Sequence, residues 1–156
     1  MSYIIRGLDP APFNALADAG KSALAEARAI RVTADTATGY PCRVTLADAP
    51  EGTAMLLLPF TSHDAPTPYH TRYAIYVTEG AKEAAQYDGQ VPHMMARRTV
   101  ALRGFDNDGM LKSATLNRPE DDLDGAIRAM LEDEDIPAVQ IYCCAYGCFL
   151  GTAERM

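Results

Sequence analysis

The chain has 156 residues, a formal net charge of −7, 48% hydrophobic residues and 22% charged residues. That length suits one folded core, and the composition excludes a disordered chain. The acidic balance disfavours duplex nucleic acid and anionic membranes as partners, since both demand a basic footprint. Met1 to Pro10 show no charged region leading into an apolar stretch, so no secretory leader is read there. The longest strongly apolar run, Ala54 to Phe60, falls far short of the about 20 residues a membrane span needs. The sequence therefore places the protein in the cytoplasm, with its four cysteines expected as free thiols.

Tyr3 to Leu8 reads as an opening strand stopped by Asp9-Pro10, followed by short helical turns from Pro12 to Arg28 broken at Gly20. From Arg28 the period changes, and Ile30, Val32 and Ala34 share one strand face. Asp35 to Pro41 is turn chemistry. Cys42 to Leu46 then alternates as a second strand, with Cys42, Val44 and Leu46 on one face and Arg43 and Thr45 on the other. Thr53 to Phe60 is apolar on both faces, as a covered central strand would be.

A proline- and histidine-bearing loop, Thr61 to Thr71, leads into a strand from Arg72 to Thr78 rich in aromatic and β-branched residues. Glu79 to Gln90 reads as polar and weakly helical. Arg98 to Phe105 and Met110 to Leu116 flank Asp106-Asn107-Asp108-Gly109, which predicts a β-hairpin. Leu123, Ala126, Ile127, Met130 and Leu131 form a single apolar stripe. Pro119 suits a first helical position, so the predicted helix covers about 119–132. Ala138 to Phe149 reads as a buried strand running into a tight turn, and Cys148 to Ala153 adds one more strand. These elements predict a single α+β domain with a mostly antiparallel sheet of about eight strands and one clear amphipathic helix.

The cysteines carry the first candidate chemistry. Cys42 and Cys143 fall on apolar strand faces and read as small buried packing residues. Cys148 follows Gly147 at a turn, where backbone N–H groups lower a thiol pKa, and it is the candidate nucleophile. A zinc site would combine Cys148 with Cys143 or Cys144, Cys42 and a histidine. However, His63, His70 and His93 are scattered, and Cys144 to Cys148 is a lone pair without a second knuckle, so no metal ligand is assigned. A Cys42–Cys148 bridge is a further alternative.

The second candidate is cationic: Arg43, Arg72 and Arg103 at or near strand entries suit a carboxylate or phosphate, with Tyr69 as a hydrogen-bonding neighbour. Surface ion pairing is the alternative role for those arginines. The Thr61–Thr71 loop adds His63-Asp64 and Tyr69-His70 as proton-transfer groups at a strand end. No glycine-rich phosphate loop, nucleophile elbow or zincin helix is present.

Gly39-Tyr40-Pro41-Cys42-Arg43, Leu46 to Asp48, Leu56 to Leu58, Pro68-Tyr69, Ile75 to Val77, Leu102 to Phe105 and Gly147-Cys148-Phe149 form an ordered series. In order and spacing it resembles the bacterial family called domain of unknown function 1203, from Tyr3 to about Arg155, most specifically at the two cysteine motifs. The resemblance implies one compact domain and no particular activity. Ahead of Gly-Cys, where that family is expected to carry histidine and asparagine, this chain has Tyr142-Cys143-Cys144-Ala145.

Three readings follow. The first is a pocket between Cys42-Arg43 and Gly147-Cys148 that binds a small anionic metabolite. The second is a non-catalytic module, with buried thiols, that pairs as a homodimer through a strand edge. The third is a cysteine metal site.

Overall fold

Alternating apolar strands and short turns build two antiparallel sheets in the computed structural model, which describes residues 1–156. The strands are β1 (Tyr3–Arg6), β2 (Ile30–Thr33), β3 (Ala54–His63), β4 (Thr71–Thr78), β5 (Gln86–Asp88), β6 (Val100–Phe105), β7 (Leu111–Asn117), β8 (Ala138–Cys143) and β9 (Phe149–Arg155). The helices are α1 (Ala11–Asp18), α2 (Lys21–Glu26), α3 (His93–Ala96) and α4 (Leu123–Leu131). One sheet has the order β5-β1-β9-β8-β6-β7 and the other β2-β3-β4. The architecture is α+β, mainly antiparallel sheet with short helices.

Side-chain alternation along β8 and β9 splits the interior in two. Val139, Ile141 and Leu150 face a core shared with Ile127, Leu131, Met94 and Met95, so α3 and α4 cover that side. Tyr142 and Phe149 point the opposite way, into a second core with Met55, Leu56, Leu58, Ile75 and Val77 of the smaller sheet. Burying roughly 1.5–3 kcal/mol of transfer free energy per large side chain on both faces fixes the register of β8, because a one-residue slip would exchange the two cores. β3 is the middle strand of its sheet, with Met55, Leu56 and Leu58 buried in the second core and Leu57 lining a cavity.

Three local expectations are corrected. α4 begins at Leu123 rather than near Pro119, because Asp122 accepts the Gly125 N–H at 2.9 Å and caps the helix there. Asp135 to Pro137 and the C-cap at Glu132 agree with the expected stop. The 79–90 segment carries no helix; Gln86 to Asp88 instead pair with β1 at the sheet edge. The nine strands accord with the expected mostly antiparallel sheet of about eight.

The third correction concerns Cys42 to Leu46, which is a turn and not a strand. Pro41 bridges Asp48, the Cys42 N–H donates to Ala47, and Leu46 donates back to the Cys42 carbonyl at 2.9 Å. Closing this turn places Leu46 in the left-handed region at φ 53°, a conformation that costs a non-glycine residue about 1–2 kcal/mol. Burial of Leu46 against the first core offsets that cost. Gly7 packs directly on the turn, where a Cβ would stand 1.9 Å from the Val44 carbonyl oxygen, so only glycine allows β1 to approach it.

Candidate functional site

The turn inverts the expected orientation of Arg43. A strand would have sent its side chain opposite Cys42 and outward, yet Arg43 is 1% exposed. Its guanidinium has five N–H donors. Nε donates to the Phe149 carbonyl at 2.6 Å, Nη1 to the Pro41 carbonyl at 2.5 Å, and Nη2 to the Cys148 sulfur at 3.0 Å. Burial pulls the guanidinium pKa down, and the Cys148 sulfur pulls it back up. A guanidinium stays protonated even so, leaving a fixed positive charge beneath the β8–β9 turn.

That turn is a hairpin of four residues between two thiols. The Cys143 N–H donates to the Cys148 carbonyl at 2.8 Å, and Gly147 donates back to the Cys143 carbonyl at 2.8 Å. Gly147 holds φ 68°, which is why glycine occupies the closing position. The next pair in register is Tyr142 opposite Phe149, so Cys143 faces Cys148 across the hairpin.

The Cys148 thiol donates to the Cys143 sulfur, and this bond is the largest influence lowering the Cys143 pKa to about 5. Burial opposes it, while the backbone N–H groups of Tyr146 and Ala145 and the charge of Arg98 assist. Cys148 moves the other way: donating its proton to Cys143 holds that proton on, burial adds to the effect, and Arg43 opposes both. One proton is thus shared between the two sulfurs.

Both thiols open onto a cavity of about 390 Å³ where the 38–43 segment, the smaller sheet and the hairpin meet. Leu57, Ala74, Tyr73 and Tyr76 form its apolar and aromatic wall, Thr38, Arg43 and Arg98 its polar one, and Tyr146 stands at the rim. Arg98 is committed elsewhere. Its Nη1 and Nη2 bond Asp48, the Met94 carbonyl and the Thr38 carbonyl, and Asp48 also pairs with Arg97 at 3.0 Å. Arg98 therefore acts on the thiols by its field and pins the 38–48 segment to the start of β6.

Among the residues singled out from the sequence, Arg43 and Cys148 are brought together at 3.0 Å across 105 positions of chain. Cys42 is close in sequence but lies behind the cavity. Burial raises its thiol pKa, and the N–H bonds from Thr45 at 3.4 Å and Thr78 at 3.2 Å outweigh that and leave it lowered. Its sulfur serves as an acceptor that closes the turn, and all four cysteines are free.

Tyr69 and Arg103 border a different hollow of about 270 Å³, with Phe105 and His70. Arg103 stacks on the Tyr142 ring at 4.0 Å. Arg72 bonds Thr61 at 2.9 Å and faces a third hollow. The arginines of the sequence reading are therefore three separate features. His63 stacks on Phe105 and bonds the Gly109 carbonyl at 2.9 Å inside the fold, whereas His70 pairs with Asp64 on the surface. No three His, Cys, Asp or Glu side chains converge on one point that would hold an ion.

Sequence reasoning passed over Cys143, assigning it to packing by its strand face. It is buried within the first core, yet its sulfur also meets the cavity. The available signal was register: two cysteines flanking a short Gly-closed turn stand opposite each other in a hairpin.

The sequence matches a family described as "Protein of unknown function (DUF1203)" over residues 39–155. Both the Gly39–Arg43 segment and the Gly147-Cys148 turn fall within the match. No curated protein and no solved structure matches the chain. No helix is long and apolar enough to cross a membrane.

Proposed function

We propose that this chain, which belongs to the DUF1203 family, is a small-molecule-binding domain whose pocket presents a reactive cysteine to an anionic ligand. The observation that carries the reading is Arg43, buried in the wall of a 390 Å³ cavity with its Nη2 on Cys148 beside the Cys143 thiolate. Cavities of about 300–1,000 Å³ with apolar walls and few convergent polar groups are the usual form of a ligand site.

Arg43 has two N–H positions beyond its three bonds, enough for one carboxylate or phosphate oxygen pair. Tyr73 and Tyr76 suit a flat apolar body, and Tyr146 at the rim suits closure over it. A ligand with an electrophilic carbon or sulfur near its acidic group meets Cys143 as nucleophile. A reducing cytoplasm is the compartment that keeps such thiols available. Tyr69, Arg72 and Arg103 fall outside this ligand's reach, and their proposed part is confined to the neighbouring hollows.

Thermal-shift screening of small carboxylates and phosphate esters tests the reading, with the native protein set against Tyr146→Ala and Arg43→Lys. A compound that raises the melting temperature of the native protein and loses that effect in both variants supports it. Identical shifts in all three proteins refute it.

A second reading, pairing of two copies through a sheet edge, is favoured by β2 and β7. Both are edge strands, and they expose Ile30 (56%) and Leu116 (43%). Sedimentation of the native protein against Ile30→Lys decides it: a dimer lost on substitution supports pairing, and a monomer at all concentrations rejects it.

A further inference from the structure

We propose that Cys143 and Cys148 form a thiol–disulfide exchange couple, with Cys143 attacking, Cys148 resolving, and a small disulfide as the substrate. The inference deepens the reactive-cysteine reading above and rests on it.

The geometry brings the two thiols together. Cys143 and Cys148 oppose each other across the β8–β9 hairpin. Opposed hairpin residues lie about 4.5–5.5 Å apart at Cα, inside the roughly 4.4–6.8 Å that a disulfide spans. Only residues 144–147 separate the two cysteines, so closing the bridge removes little chain entropy from the unfolded state. A bridge of that kind contributes little as a structural staple and is readily opened again.

Arg43 donates to Cys148, the thiol that keeps its proton, and not to Cys143. Exchange gives that arrangement a purpose. While Cys143 is a thiolate, Cys148 donates to it and holds its proton. Once Cys143 is capped as a mixed disulfide, the neighbouring negative charge is gone. The guanidinium 3.0 Å from Cys148 then favours the thiolate on Cys148. The activated sulfur passes from the first cysteine to the second as the first is consumed.

The steps balance. The Cys143 thiolate attacks one sulfur of RS–SR, the Cys143–S–SR bond forms, the original S–S bond breaks, and RS⁻ leaves with the bonding pair. Cys148 gives up its proton to the departing thiolate and attacks the Cys143 sulfur, and the second RS⁻ leaves. The dithiol is oxidised by two electrons, and the substrate disulfide is reduced to one thiol and one thiolate. The cavity beside the thiols admits the substrate, and its tyrosines and Arg43 suit a disulfide bearing acidic groups.

The experiment uses the aromatic disulfide DTNB, which carries carboxylates, on the folded full chain in a Cys144→Ser background that removes the exposed thiol. The expected result is release of two thionitrobenzoates per chain, with protein mass showing an internal bridge and no adduct. With Cys148→Ser added, release stops at one and a stable adduct remains on Cys143. In Arg43→Lys the second release slows relative to the first, roughly ten-fold for each pKa unit that Cys148 rises. The Cys148 comparison stands whether or not the Arg43 variant folds. A lasting adduct on the Cys144→Ser protein overturns the couple and leaves the reactive-cysteine pocket standing. No release before unfolding overturns both.

Discussion

Arg43 in the 41–48 turn donates through Nη2 to the sulfur of Cys148 in the β8–β9 hairpin at 3.0 Å. The same guanidinium holds the carbonyls of Pro41 and Phe149. One buried side chain thus ties the turn to the hairpin and sets the charge beside two thiols.

The shared proton makes thiol reactivity depend on pH. In Cys144→Ser protein, alkylation of Cys143 by iodoacetamide is half-maximal near pH 5 in place of the ordinary 9.0. The groups facing it are the Cys148 thiol, Arg98, and the N–H groups of Ala145 and Tyr146. In Cys148→Ala, with the strongest of these removed, the midpoint moves upward. A native midpoint near that of an ordinary thiol would contradict the arrangement.

Stability follows the same proton. The folded Cys143 pKa lies below its unfolded value, so its contribution is present above pH 9.0 and is lost as pH falls through about 5. Cys148, raised on folding, contributes below its unfolded pKa and loses that only as pH climbs through its higher folded value. Between about 5 and 9 the folded pair holds one proton fewer than two unfolded thiols. Urea midpoints therefore rise with pH across that window, by at most about 1.4 kcal/mol per pH unit. Cys143→Ala flattens the rise.

Replacing Arg43 by Met strands two backbone carbonyls in a dry interior. The expected loss is about 3–5 kcal/mol in urea unfolding, in the range for breaking a buried polar cluster from one side. Arg43→Lys keeps the charge but not three directed donors, and is expected to lose about half as much. A loss under about 0.5 kcal/mol for Met, the size of an ordinary surface change, would rule out the clamp.

Cys42 is expected to tolerate serine better than alanine, against the usual preference of an apolar core. Its sulfur accepts the Thr45 and Thr78 N–H groups, which alanine leaves unpaired at a cost of about 1–3 kcal/mol each at most. Thermal unfolding of Cys42→Ser and Cys42→Ala measures the difference directly. Equal melting temperatures would mean that the sulfur acts by volume alone.

Gly7→Ala pushes a Cβ to 1.9 Å from the Val44 carbonyl oxygen, and backbone cannot rotate away as a side chain can. A destabilisation of about 3 kcal/mol, the upper end for overpacking, is expected. Because Leu8 donates to the Arg43 carbonyl at 2.8 Å, the displaced turn also carries Arg43 off Cys148. The Cys143 alkylation midpoint should then rise together with the loss of stability, and a stable protein with an unchanged midpoint would refute the coupling.

Much of the fold was legible because local pattern and tertiary role agreed. The Asp106–Gly109 turn between β6 and β7, the two-faced apolar run of β3, and the stripe of α4 all appear where their periods place them. The 42–46 segment alternates equally well and is not a strand. There the acceptors offered to Arg43 by Pro41, Phe149 and Cys148 outweigh the preference of an arginine for solvent. Gln86 to Asp88 failed in the opposite sense: a polar stretch with no strand signal is recruited because the edge of β1 leaves its backbone groups unpaired.

The candidate site divides along the same line. Composition, periodicity and turn chemistry determined by themselves an α+β chain with Cys148 at a turn, since face and turn are properties of a few adjacent residues. Which arginine reaches which thiol was decided only by the order β5-β1-β9-β8-β6-β7 and by the packing of the 41–48 turn against β9 and β4. The bonds from Arg43 to Phe149 and Cys148 join positions more than a hundred residues apart, and the buried charge they hold stands beside the proton shared by Cys143 and Cys148.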